Sequence, residues 1–130
     1  MKKLLIGMVA AAAIVNVNAA KAEFARGSFL QMVAETGCQS KFSDEKKADL
    51  YASGYKGRSM TVTGVVGYIK DGRVGLKILP TTLTSDIDIT LKDRSRTYDL
   101  EKDTAITVNF KVSFHGGCIL SYSGDEGVIQ

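Results

Sequence analysis

Residues 55–79, Tyr-Lys-Gly-Arg-Ser-Met-Thr-Val-Thr-Gly-Val-Val-Gly-Tyr-Ile-Lys-Asp-Gly-Arg-Val-Gly-Leu-Lys-Ile-Leu, decide the fold. From about Ser59 to Lys70 the residues alternate, with Met60, Val62, Val66 and Tyr68 on one parity and Thr61, Thr63, Val65 and Ile69 on the other. That period of two predicts a strand, and both of its faces are partly apolar. Gly64 and Gly67 interrupt it where a strand can bulge or bend sharply, so that one strand can serve two sides of a small barrel. Asp71-Gly72 predicts a type I′ hairpin, because that turn needs positive φ at both central residues. A second strand over 74–79 turns Val74, Leu76 and Ile78 inward and Arg73, Gly75 and Lys77 outward, and stops at Pro80.

Three more strands are expected downstream. Residues 85–92 place Ile87, Ile89 and Leu91 on the core side against Asp86, Asp88, Thr90 and Lys92. Residues 105–114 alternate most sharply, with Ile106, Val108, Phe110, Val112 and Phe114 facing in. His115-Gly116-Gly117 then turns the chain into a fifth strand at 118–122, followed by a polar tail. The charged connector 93–103 has room for one helical turn. Upstream, Ser28 and Gln31 form a capping box for a short helix carrying Phe29, Leu30, Met32 and Val33, with Gly37 at its C-terminal end. Ser43 caps a second helix that begins Asp44-Glu45, two acids suited to the positive end of the helix dipole. Ala48, Tyr51, Ala52 and Tyr55 recur at helical spacing along it and are expected to pack on the barrel.

Five strands, the first long and glycine-bent, the first three joined as a meander, with a connector between the third and fourth, describe a mainly β OB-fold barrel preceded by one or two short helices. Tyr55-Lys56-Gly57-Arg58, Val62-Thr63-Gly64-Val65-Val66, Asp71-Gly72 and the run from Leu100 to Val108 carry a resemblance to the exported bacterial OB-fold proteins of the tRNA-anticodon-binding-like group. The resemblance covers about residues 43–122. Asp103 departs from the pattern, standing where the group has glycine. What the resemblance implies is the barrel; fold analogy does not carry function.

The first 22 residues read as a secretory signal: Lys2 and Lys3, an apolar run from Leu4 to Val17, then Ala20-Lys21-Ala22. Cleavage is expected between Ala22 and Glu23, with Val17-Asn18-Ala19 as a weaker competing site. The apolar run is shorter than the roughly 20 residues a spanning helix needs. Residues 23–130 would then form a single OB-fold domain, a helical segment over 23–54 leading into a barrel over 55–122, in the periplasm or the extracellular medium. Export also bears on charge. Lys2, Lys3 and Lys21 account for the whole formal excess of +3, so removing three of the 17 basic residues leaves 14 against 14 acidic ones. Sequence-independent phosphate binding rests on surplus Lys and Arg, so nucleic acid is not the expected partner. In an oxidising compartment Cys38 and Cys118 are expected to pair. On chain-entropy grounds a loop of that length contributes roughly 4–5 kcal/mol.

The chemistry-bearing residues point away from catalysis. His115 is the only histidine and lies in a glycine-rich turn, and no Gly-x-Ser-x-Gly elbow is present. Asp86 and Asp88 share a strand face at about 7 Å, a spacing that two extended residues impose, but ordinary outward charges explain them. No zinc, calcium or phosphate-loop pattern appears, and no cofactor or metal is expected. The face of strands two and three offers Arg73, Lys77 and Lys92 beside Asp86 and Asp88 without an aromatic, unlike single-strand platforms on which bases stack. Candidate ligand contacts are Lys77, Arg94, Arg96 and Tyr98. The expected function is a non-enzymatic exported binding module that contacts another protein or a small ligand of the cell envelope. Single-stranded nucleic-acid binding and inhibition of a secreted enzyme by an inserted loop are the alternatives. A protein-binding module predicts an exposed apolar or aromatic patch.

Overall fold

A computed structural model describes residues 24–80, 85–117 and 119–130. The expected signal segment, the expected cut between Ala22 and Glu23, and Cys118 lie outside the described residues. The chain is mainly β. Two helices, α1 (Phe29–Thr36) and α2 (Asp44–Gly54), precede β1 (Ser59–Lys70), β2 (Arg73–Lys77), β3 (Ile87–Leu91), β4 (Ala105–Phe114) and β5 (Tyr122–Ile129). A 3₁₀ segment, Arg94–Asp99, joins β3 to β4. The strands close into a barrel in the order β1-β2-β3-β5-β4, and β3 and β5 run parallel while the other pairs are antiparallel. This is the five-stranded OB-type barrel that the alternation and the turn residues predict.

β1 does the double duty its glycines suggest. Its first half pairs with β4, from Ser59↔Lys111 to Val65↔Ala105, and its second half with β2, from Val65↔Lys77 to Lys70↔Arg73. Asp71 and Gly72 have φ of 49° and 81°, the two positive values a type I′ turn requires. Asp103 also adopts positive φ, 65°, so the turn survives where the resembling group has glycine.

A bulge between Val66 and Tyr68 changes the parity of β1. Val66 pairs with Leu76 inside the barrel, the extra residue Gly67 is absorbed, and Tyr68 then pairs with Gly75 on the outer face while Ile69 pairs with Val74. A bulge moves every later side chain to the opposite face. Tyr68 therefore lies outside, not with Met60 and Val62, and Ile69 packs against the core.

The fifth strand also differs from expectation. It runs Tyr122–Ile129 through the segment that reads as a polar tail, so the barrel extends past residue 122. Its inward positions include Gly124 and Gly127, both buried. A Cβ at Gly124 would sit 2.3 Å from Phe110 Cδ2, so the bulk of Phe110 fills the space that a β5 side chain would otherwise occupy. Phe114, expected inside, is 44% exposed, and the β4–β5 register shifts between Val112 and Phe114.

The core is built from Val66, Val74, Leu76, Ile87, Ile89 and Val108, closed at one end by Phe29 and Met32 of α1 and by Tyr55. Ser28 caps α1 by accepting from Gln31 N at 3.2 Å, and Ser43 caps α2 by accepting from Lys46 N at 3.2 Å. The Gln31 side chain turns to Glu35 instead of completing the capping box. Of the α2 stripe only Tyr51 and Tyr55 are buried; Ala48 and Ala52 face solvent. Arg26 pairs with Glu35 and lies 5.3 Å over the Tyr55 ring, while Tyr55 donates to Glu35 Oε1 at 2.8 Å. This network fastens the N-terminal segment to both helices. Thr36 donates to Met32 O at 2.7 Å, so the Tyr122 hydroxyl, 2.8 Å away, is left to donate to Thr36 and ties α1 to β5.

Candidate functional site

The end of the barrel capped by α1 gathers the residues after β2, those before β3 and the loop from β4 to β5. Asp86 holds the first two together. Its Oδ2 accepts from Ile78 N at 2.6 Å and Leu79 N at 2.7 Å, so this carboxylate is committed to the backbone. Ser121 Oγ donates to Ser85 O at 2.6 Å and Gly117 N to Leu120 O at 3.0 Å, which fixes the base of the β4–β5 loop. Between this loop and α1 lies a cleft of about 370 Å³, lined by Phe29, Val33, Leu79, Ile119 and Leu120 among others.

The loop tip carries the strongest functional signal. Ile119 is 93% exposed and Leu120 63%. Burying a side chain of this size contributes about 1.5–3 kcal/mol, and the fold leaves that contribution unused at two adjacent positions. The flanking sequence is also uncharged: no Asp, Glu, Lys or Arg occurs from Val112 to Gly124 or from Ile78 to Ser85. This charge gap was legible in the sequence, and it is the signal that could have singled out Ile119 and Leu120.

His115, at the root of the loop, is not a solvated turn residue. Its ring is half-buried, 4.6 Å from Tyr51 and 5.9 Å from Phe114. Burial pushes the Tyr51 hydroxyl above its ordinary pKa, and that hydroxyl has no hydrogen-bond partner among the described residues.

The outer face of β2 and β3 does hold an aromatic, because the bulge delivers Tyr68 to it. The ring covers Gly75, where a Cβ would come within 2.2 Å of Tyr68 Cε1 and of Ser85 Oγ. Burial first, and then the hydrogen bond and charge of Asp88, push the Tyr68 hydroxyl up to about 12. Asp86 and Asp88 thus serve different neighbours, the backbone and Tyr68, and do not act as a pair. Among the described residues no three His, Cys, Asp or Glu side chains gather in a way that could hold a metal ion, and no helix is long and apolar enough to cross a membrane.

The sequence candidates separate into three places. Arg94 donates to Asp71 O at 2.6 Å and lays its stem on Gly72, so it clasps the β1–β2 turn. Tyr98, 90% exposed, lines the same shallow depression. Arg96 faces a different groove, beside β5. Lys77 lies at the far end of β2, four residues or about 13 Å of strand from Arg73, with its stem over Gly67. Cys38 lines the cleft beside Gly37, and no free cysteine occurs among the described residues.

Compared with protein-family models, curated proteins and solved structures, the chain matches none.

Proposed function

We propose that this chain is an exported, non-enzymatic interaction module of the OB-barrel group, working in the periplasm or beyond it, that binds a protein partner with the α1-capped end of its barrel. The observation that carries this reading is the exposure of Ile119 and Leu120 at the tip of an uncharged loop whose base is hydrogen-bonded in place. A rigidly presented apolar pair can enter a partner's pocket at little cost in ordering entropy. The adjoining cleft can accept a side chain in return. A loop of this kind also suits an inhibitor that enters a secreted enzyme, which is one form the partner can take.

Export rests on the leader-like residues 1–22; in that compartment Cys38 and Cys118 would be expected to pair. Nucleic acid is the weaker ligand class. Residues 23–130 carry balanced charge, and the one aromatic on the β2–β3 face has a carboxylate at its hydroxyl.

The test is purification of the tagged protein from envelope extract beside the I119D/L120D variant. The proposal expects a partner retained by the wild type and lost by the variant, with both proteins melting within a few degrees of each other. Recovery of the same partners by both would refute it.

A further inference from the structure

At the opposite end of the barrel, where β3 and β5 run side by side into the 3₁₀ segment, lies a groove of about 240 Å³. Its floor is apolar. Leu91 is buried beneath it, Gly127 contributes only backbone, Ile129 is half-buried and Val128 is 46% exposed. Across the floor, Lys92 N donates to Gly127 O at 2.9 Å.

The rim has a definite sign. Lys92 and Arg96 are exposed on it, and neither takes part in an ion pair within 4 Å among the described residues. The one acid on the rim, Asp93, is turned to its own loop: its Oδ1 accepts from Ser95 N at 3.1 Å and from Ser95 Oγ at 2.6 Å. Those two hydrogen bonds, with Arg96 nearby, hold the Asp93 carboxyl below its usual pKa. Glu126, next in sequence to Gly127, is engaged by Lys111 at 3.0 Å. The groove therefore combines an apolar trough with two cations and one acid, and neither cation makes an ion pair within 4 Å among the described residues. Ligand sites commonly pair an apolar lining with a few placed polar groups.

We infer that this groove is a binding site for a small amphiphilic carboxylate, a medium-chain aliphatic acid whose chain lies along Leu91, Val128 and Ile129 and whose carboxylate meets Arg96 and Lys92. The volume sets the size, because it falls below the roughly 300–1,000 Å³ of sites for drug-sized ligands. Arg96 is the better anchor, since a guanidinium can bind both carboxylate oxygens in one plane. The exposed position limits the strength, so octanoate should bind with a Kd on the order of 1 mM. This site is independent of the loop at the other end of the barrel.

Titration of ¹⁵N-labelled protein with octanoate and octyltrimethylammonium below their micelle-forming concentrations, and with octanol below its solubility limit, tests the inference. Octanoate should shift the amides of Lys92, Gly127 and Val128, and should bind about fivefold or more tighter than octanol, as hydrogen bonds to charged groups allow. The cation should bind weakest. R96Q should remove most of the preference for octanoate over octanol, and R96K should restore part of it. Both changes are on an exposed side chain, so folding is checked by the unchanged remainder of the spectrum. Equal binding of octanoate and octanol, or shifts concentrated at Ile119 and Leu120 instead, would overturn the inference.

Discussion

Gly75→Ala reports directly on the outer face of the barrel. The added methyl would sit 2.2 Å from Tyr68 Cε1 and 2.4 Å from Cδ1, so the ring must retreat by about 1.2 Å to reach ordinary contact at 3.4 Å. The Ser85 hydroxyl is equally close but can rotate away, whereas the tyrosine ring is rigid. Overpacking of this kind costs about 1–3 kcal/mol. A loss of about 1–3 kcal/mol should lower Tm by about 4–24 °C in a domain of this size. The decisive assay is a double-mutant cycle by thermal and urea unfolding. In a Tyr68→Ala background the same Gly75→Ala change should be neutral or slightly stabilising, because alanine loses less backbone entropy than glycine in a strand. A coupling of about 2 kcal/mol is expected, within the usual range for residues in contact. Equal losses in both backgrounds would refute the placement of Tyr68 over Gly75 and the bulge that puts it there.

Thr36→Val should remove the hydroxyl that pairs with the buried Tyr122 hydroxyl and cost about 1–3 kcal/mol, measured by urea unfolding; a change below about 0.5 kcal/mol, the size of an ordinary surface substitution, would contradict the tie between α1 and β5. Tyr55 and Tyr68 are both pushed up to about 12, first by burial and then by the carboxylates Glu35 and Asp88. A raised folded pKa means that the native state holds these protons more tightly, so their stabilisation is complete below about pH 10 and is lost as pH rises through 12. Unfolding followed from pH 9 to 12 should show that decline, and a double Y55F/Y68F variant should flatten it. At the acid end, burial pushes the Glu35 carboxyl up, but hydrogen bonds from Tyr55, Gln31 and Arg26 outweigh it and leave the pKa below its usual value. Its stabilisation is therefore present above about pH 4.5 and falls away below it; Glu35→Gln should lessen the acid sensitivity, read as a smaller drop in Tm between pH 6 and 3. Thiol titration of denatured protein purified from periplasmic extract should find no free thiol if Cys38 and Cys118 are bridged, and two thiols would reject the bridge.

The barrel was legible because its inward residues advertise themselves. Ile87, Ile89 and Leu91 alternate with polar residues, Asp71-Gly72 marks a turn that needs positive φ, and Ser28 and Ser43 cap the helices they precede. Illegibility began where glycine replaced a core side chain. β5 fills its share of the interior through Phe110 of a neighbouring strand, so its own sequence shows no apolar period. The bulge at Gly67 was visible as a possibility, but the sequence alone does not say whether a glycine bends a strand or inserts a residue, and that choice moves Tyr68 from one face to the other. The candidate ligand contacts were chosen for charge and aromaticity, Lys77 on the strand-two face and Arg94, Arg96 and Tyr98 in the connector, yet Arg94 is spent on the hairpin turn and Lys77 lies at the far end of β2. Ile119 and Leu120 escaped notice because two apolar residues after a turn look like the start of a strand. Only their exposure in the folded chain, beside a long uncharged stretch, sets them apart.

Ile119 and Tyr98 are almost equally exposed, at 93% and 90%, and lie in different loops, so they make a matched pair for the central claim. A photo-crosslinking amino acid placed at each position in turn, in cells exporting the protein, should give one discrete protein adduct at 119 and none at 98, with the adduct lost when Leu120 is changed to Asp. No adduct at 119, or the same adducts at both positions, would contradict the assignment of the loop as the partner-binding surface.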